Sequence, residues 1–275
     1  MIPYDIRLIA MDMDGTLLNS KQEISAENLS ALKDAQKAGI AIAICSGRLP
    51  GDSGRFMLEA GLKECAILSL NGAYCIEKPL GKAYANHCLT PLSLEHSLTL
   101  LGQQQTCFGC FLQNRIVIID PLEQLDDSAW ASRMHGEGAP MIAHGMEALN
   151  QRRDEGVNKI VYYESEPEKL RSMRVCLEAI DGIEVTSSWA QNLEIMPKGV
   201  NKGGAVREMA ERLGLNASQV MTFGDYDNDE SMIAYAGLGV AMGNAMESVK
   251  RVAKHVTLTN DENGVAVCIR RFALS

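Results

Sequence analysis

The chain has 275 residues and a formal net charge of −9, with 46% hydrophobic and 22% charged residues. That length buries roughly three quarters of the unfolded surface in one or two domains, and the acidic balance argues against a nucleic-acid partner. No apolar run approaches the ~18 residues of a membrane span, no leader pattern opens the chain, and eight scattered cysteines are too sparse for a disulfide scaffold, so a cytoplasmic protein with no membrane partner is expected.

The first element expected is a strand. Ile6, Leu8 and Ile9 lead an apolar run into Asp12-Met13-Asp14-Gly15. Carboxylates at i and i+2 of an extended segment share a face, so Asp12 and Asp14 are expected to converge beyond the strand end. Two anions there need a cation, a hydrogen bond or a proton; by itself, Asp-x-Asp-Gly is also ordinary turn chemistry. A helix is predicted over 25–38, capped by Ser25 and closed by Gly39. The apolar run 40–45 has the profile of a strand covered on both faces and ends at Ser46-Gly47-Arg48. A helix around 55–60 and a strand over 66–70, ending at Asn71-Gly72, repeat the unit. Such alternation predicts a doubly wound α/β sheet, whose ligand crevice lies outside the carboxyl ends of the strands. Asp12, Asp14, Ser46 and Asn71 would all sit there.

From residue 74 the pattern changes. Short strands over 74–77 and 82–85 flank a turn at 78–81. Between 89 and 185, helical stretches (92–104, 128–134, 168–179) mix with strands (115–120, 159–163, 183–186), with polar loops at 135–140 and 151–158. Strands arriving in runs predict an α+β insert with an antiparallel sheet. Cys107 and Cys110 form a lone C-x-x-C and read as structural thiols. His135 and His144 could line a pocket or be ordinary hydrogen-bonded histidines. The α/β pattern resumes near Leu193. Residues 197–203 open a helix running to about 213, in which Lys202 alone would pass as a surface group. Asn216 and Gln219 form a capping box before a strand over 220–223. That strand ends at Gly224-Asp225-Tyr226-Asp227-Asn228-Asp229, a second acidic cluster, followed by a helix over 230–236. A strand over 238–242 and a helix over 246–253 complete the core, which thus comprises 1–84 and 193–275 around an insert at 85–192. Gly237, Gly239 and Gly243 imitate a dinucleotide fingerprint, but the apolar run between them reads as the strand itself.

Five segments in this order, Asp12-Met-Asp-Gly-Thr-Leu-Leu, Ser46-Gly-Arg, Asn71-Gly-Ala, Asn201-Lys-Gly and Gly224-Asp-Tyr-Asp-Asn-Asp, resemble the haloacid dehalogenase superfamily. The resemblance is to its Cof-type, subclass IIB sugar-phosphate phosphatases, and Gly239-Val-Ala-Met-Gly-Asn-Ala245 is similar to that family too. Ser46 stands where many relatives carry threonine, and the hydroxyl is kept. The resemblance implies a Rossmann-like, mostly parallel core with an inserted α+β cap domain, and Mg²⁺-dependent hydrolysis of small phosphomonoesters, sugar phosphates or related metabolites. Asp12 is then the nucleophile, forming an aspartyl-phosphate that splits one hard step into two, and Asp14 the acid and base. A hard cation such as Mg²⁺ suits carboxylates and a backbone carbonyl; it would be held by Asp12, the Asp14 carbonyl and Asp225, with Asp229 behind them. Ser46, Gly47 and Lys202 would hold phosphoryl oxygens, Asn228 would contact substrate or phosphate, and Arg48 and Asn71 would be accessory. The partner implied is a small phosphorylated metabolite, the chain being a monomer or weak homodimer.

Three other readings compete. A phosphomutase or phosphotransferase would use the same aspartate, but must re-present a bound phosphorylated intermediate, and no device for that is visible. A phosphoacceptor receiver domain is about half this length and lacks the insert. A non-catalytic regulator that binds a phosphometabolite would not need Asp14.

Overall fold

The computed structural model describes residues 4–104, 106–120 and 141–274, and among them the strands form two sheets. In the first, β1 (Leu8–Met11), β2 (Ala41–Cys45) and β3 (Cys65–Ser69) proceed in one direction across the sheet. From β1 the other way run β12 (Val220–Gly224), β13 (Leu238–Ala241) and β14 (His255–Val256), and all six are parallel. β4 (Tyr74–Ile76) and β5 (Ala83–Asn86) extend the β3 edge antiparallel. The apolar runs of β1, β3 and β12 are buried throughout, as strands covered on both faces require. Because the order reverses at β1 and β12, right-handed crossovers put α1 (Ala26–Lys37) and α2 (Pro50–Glu59) on one face. The same rule puts α7 (Glu230–Tyr235) and α8 (Glu247–Val252) on the other. The reversal opens a crevice at the carboxyl ends of β1 and β12.

The second sheet has the order β10-β11-β9-β6-β7-β8. It comprises β6 (Phe108–Leu112), β7 (Arg115–Ile119), β8 (Met141–His144), β9 (Lys159–Tyr163), β10 (Ile183–Thr186) and β11 (Asn192–Pro197). All its pairs are antiparallel except β7 with β8. Strand alternation divides its side chains between two layers. Phe108, Cys110, Ile160, Tyr162, Leu193 and Ile195 pack with Leu98 of α3 (Pro91–Gly102) and Leu177 of α5 (Pro167–Glu178). Phe111, Ile116, Ile118, Val161 and Met196 turn the other way and pack on Leu49, Leu70 and Ala73 of the first sheet's loops. The second sheet therefore lies over the loops that carry the sequence motifs.

Several boundaries differ from the expectations. α2 begins at Pro50 rather than near 55: proline at the first helical position is preorganised, while Gly51 and Gly54 weaken the helical signal. β6 hides behind the C-x-x-C pattern. β8, the short α4 (Gly145–Asn150), β14 and the closing helix α9 (Gly264–Cys268) carry too little periodicity to be read. β11, read as the return of the α/β pattern near Leu193, is paired between β10 and β9 in the second sheet. The helix predicted over 128–134 and the loop containing His135 lie outside the described residues. Among the described residues no helix is long and apolar enough to cross a membrane.

Candidate active site

Asp12 follows β1, with its amide bonded to Phe223 O at 3.1 Å, and the chain then curls into a turn over Met13–Leu17. Gly15 has φ +70°, and a Cβ there would stand 2.3 Å from Asp225 Oδ2, so only glycine lets the second acidic cluster approach. Thr16, fully buried, donates its hydroxyl to Asp225 Oδ1 at 2.7 Å. Oxygens of Asp12, Asp225 and Asp229 lie within 4.8 Å of one another.

Lys202 is the first residue of α6 (Lys202–Arg212), behind the N-cap Asn201. Its ammonium is wholly buried, 2.9 Å from Asp12 Oδ1 and 2.6 Å from Asp229 Oδ1. The other Asp229 oxygen accepts from the amides of Asp225 (2.8 Å) and Tyr226 (3.1 Å). Gly203 makes this seating possible: a Cβ there would meet Ser231 O at 2.5 Å, so α6 could not approach α7 so closely.

Three carboxylates around one ammonium leave the cluster short of positive charge. Burial pushes Asp12 well above the usual carboxylate range; Lys202 opposes that, while Asp229, Asp225 and Asp14 add to it. Burial, then the charge of Asp229, pushes Asp225 up to about 7. Burial works to lower Lys202, but Asp12 and Asp229 outweigh it and hold the ammonium charged. Clustered hard oxygen donors with excess negative charge fit a divalent cation such as Mg²⁺.

Asp14 does not join this cluster through its side chain. The turn carries its carboxylate to Arg48, which grips it with two bonds, Nε to Oδ2 at 2.7 Å and Nη2 to Oδ1 at 2.6 Å. Asp12 and Asp14 both have extended backbone, and the Asp14 charge is still felt at Asp12 and Asp225, but the Asp14 carboxylate oxygens are directed to Arg48 and are not among the three clustered carboxylates. Arg48 also donates to Gln22 Oε1 at 2.7 Å and lies over the Phe56 ring. Ser46, buried at the end of β2, accepts from the Arg48 amide at 3.2 Å. Asn228 Nδ2 donates to Asn71 Oδ1 at 3.2 Å, and Asn71 Nδ2 to Glu194 Oε2 at 2.6 Å. The Gly47 carbonyl accepts from Lys159 Nζ at 2.8 Å. Beside these groups lies a cavity of about 390 Å³ whose lining includes Lys202, Asn228, Asn71, Arg174, Glu184 and Asp227. His144 ends β8, an edge strand three places from β9.

Thr16, Lys159 and Glu194 escape the sequence reading. For the last two a signal exists: each is a charge at or within an otherwise apolar strand, and the two are of opposite sign.

Residues 9–269 match the family model described as haloacid dehalogenase-like hydrolase. The 5-amino-6-(5-phospho-D-ribitylamino)uracil phosphatase YcsE of Bacillus subtilis is 32% identical over 276 residues, covering 98% of this chain and 97% of its own. The solved structure of a haloacid dehalogenase-like hydrolase from B. subtilis superposes with a TM-score of 0.86 at 29% identity, over 96% of this chain and 99% of that one. The HAD subclass IIB sugar phosphatase BT4131 shares the fold, with a TM-score of 0.83 at 22% identity over 98% and 100% of the two chains.

Proposed function

The chain belongs to the haloacid dehalogenase-like hydrolases, and from that membership we propose that it is a Mg²⁺-dependent phosphatase of small phosphomonoesters working through an aspartyl-phosphate on Asp12. The observation that carries the reading is the buried Asp12 carboxylate, held by Lys202 beside Asp225 and Asp229. In the first step an Asp12 oxygen forms a bond to phosphorus and the ester oxygen leaves, taking a proton from Asp14. In the second, Asp14 takes a proton from water as it attacks the acyl phosphate, freeing phosphate and Asp12. For both, Asp14 exchanges its grip on Arg48 for the reacting oxygens. Lys202 offsets the charge on Asp12 and on the phosphoryl group. Asp12, the Asp14 carbonyl and Asp225 would hold Mg²⁺, which neutralises phosphoryl charge, while Asp229 is fixed behind them by Lys202 and two amides.

A small hydroxylated metabolite suits the polar lining of the neighbouring cavity, and the ribityl phosphate named for YcsE is of that class. The test is a panel of sugar phosphates and other phosphorylated metabolites, assayed for phosphate release with Mg²⁺ and with EDTA. Asp12→Asn should abolish turnover, and a hydroxylamine-labile phosphoprotein should form in the wild type only. Asp12→Asn activity within about tenfold of wild type would refute the covalent route.

A further inference from the structure

Arg48 is held from two sides, and only one of them is Asp14. Its Nη2 carries two hydrogens: one goes to Asp14 Oδ1 at 2.6 Å and the other to Gln22 Oε1 at 2.7 Å. The Arg48 side chain is 7% exposed and that of Asp14 42%, so the carboxylate stands toward the open crevice and the guanidinium behind it. Gln22 lies outside the sequence motifs, in a short turn after Leu18, and has left-handed backbone, φ +61°. A residue with a side chain keeps that conformation only where its surroundings impose it. Here they do. Gln22 N donates to Asn19 O at 2.9 Å, while Asn19 Oδ1 accepts from the amides of Lys21 (2.9 Å) and Glu23 (3.0 Å). The turn is moored in addition to the end of the chain: Ser20 N donates to Asp261 Oδ1 at 2.7 Å, and Asn260 Nδ2 to Leu18 O at 2.9 Å. Glycine or asparagine would take up this backbone more readily, but glycine has no acceptor for Arg48 and asparagine is one methylene short.

We propose that Gln22 is a positioning residue for the proton transfers: it keeps Arg48 in place when Asp14 leaves for the reacting oxygens, so that Asp14 moves alone and returns to one fixed seat. This rests on the phosphatase reading and deepens it. In the first transfer the Asp14 proton goes to the ester oxygen as its bond to phosphorus breaks, and the carboxylate left behind is the form that Arg48 receives. In the second, that carboxylate takes a proton from the attacking water. A charge-assisted pair is strong, and an Arg48 free to follow would stay paired with Asp14 and draw its carboxyl away from the ester oxygen. Gln22 touches no reacting atom and acts through Arg48.

Leaving-group chemistry isolates this step. Phenolate is a poor leaving group and needs the proton, whereas p-nitrophenolate is a good one and needs little of it. The two esters have similar shapes, so the ratio of kcat/KM for phenyl phosphate to that for p-nitrophenyl phosphate, measured with Mg²⁺, reports the acid. Asp14→Asn sets the scale by removing it. Gln22→Gly should lower the ratio about fivefold or more, a part of the 10²–10⁴-fold that a general acid supplies. Its melting temperature should change little, because relief of the left-handed backbone offsets the added freedom of the unfolded chain. Gln22→Glu keeps an oxygen within reach of Arg48 and should hold the wild-type ratio, since its added charge acts on both esters together. An unchanged ratio in Gln22→Gly, a loss shared equally by the two esters, or a ratio in Gln22→Glu as low as in Gln22→Gly overturns the proposal. Failure of the phosphatase reading looks different: wild type would release phosphate from neither aryl ester, nor from any sugar phosphate of the panel.

Discussion

Lys202 and Lys198 lie four residues apart and differ almost entirely through burial. The Lys198 side chain is 71% exposed and meets Asp181 at 3.2 Å, a contact worth little in water. Lys202 is sealed between Asp12 and Asp229 at the start of α6, where its charge and the helix dipole act on one point. Lys202→Ala should lose on the order of 10²-fold in kcat/KM, ~3 kcal/mol of transition-state stabilisation, and Lys198→Ala almost nothing. Equal effects in steady-state assays would make Lys202 an ordinary structural lysine. Asp225 gives a second test, in pH. Its folded value of about 7, against the ordinary 3.8, means that the folded chain holds a proton the unfolded chain releases. Stability of the EDTA-treated protein should therefore fall as pH rises between those values. Mg²⁺ competes with that proton, so its stabilising effect should grow as pH rises toward 8. Thermal melts at pH 5.5 and 7.5, with and without Mg²⁺, measure both; a Mg²⁺ shift independent of pH would remove Asp225 from the metal site.

At the scale of elements, what the sequence displays is what a short window can hold. β1, β2 and β12 are legible because strands covered on both faces read as apolar runs, and α1 because Ser25 caps it, accepting from Asn28 N at 3.1 Å. Asp12, Ser46, Lys202 and Asp225 are legible because each stands at the end of such an element. β6 and β11 are harder: Gly109 and Cys110 interrupt one pattern and Glu194 the other. The reason for Glu194 lies 35 residues away, in the ammonium of Lys159 on the neighbouring strand β9, two residues along from Val161, which stands opposite Glu194. Breaking that pair should be costly and replacing it should not. Lys159→Met strands a buried carboxylate and should cost about 3–5 kcal/mol, whereas Lys159→Met with Glu194→Leu should recover most of the loss. Denaturant unfolding of the single and double variants decides; a double variant no more stable than the single would show that the pair's charge is not what the site demands.

For the whole molecule, the two sheets divide the work. The first sheet and its connections carry Asp12, Asp14, Ser46, Lys202 and Asp225, the groups we propose for phosphate and a cation, which would treat many esters alike. The second sheet lies over them, and its Lys159 and Glu194 reach down to Gly47 and Asn71. Discrimination between leaving groups should then belong to the second sheet, and a closing motion of that layer would exclude water during the reaction. Exchanging this layer for one from a relative of different specificity tests the division. A graft over 85–192 would tear β11 from between β10 and β9, and would cut into β5 of the first sheet. The exchange should instead run from 87 to 197 and carry a lysine and a glutamate in the registers of Lys159 and Glu194. Such a chimera should reorder its preference among phosphate esters while keeping Mg²⁺ dependence and phosphorylation of Asp12. An unchanged ranking in a well-folded chimera would return specificity to the loops of the first sheet.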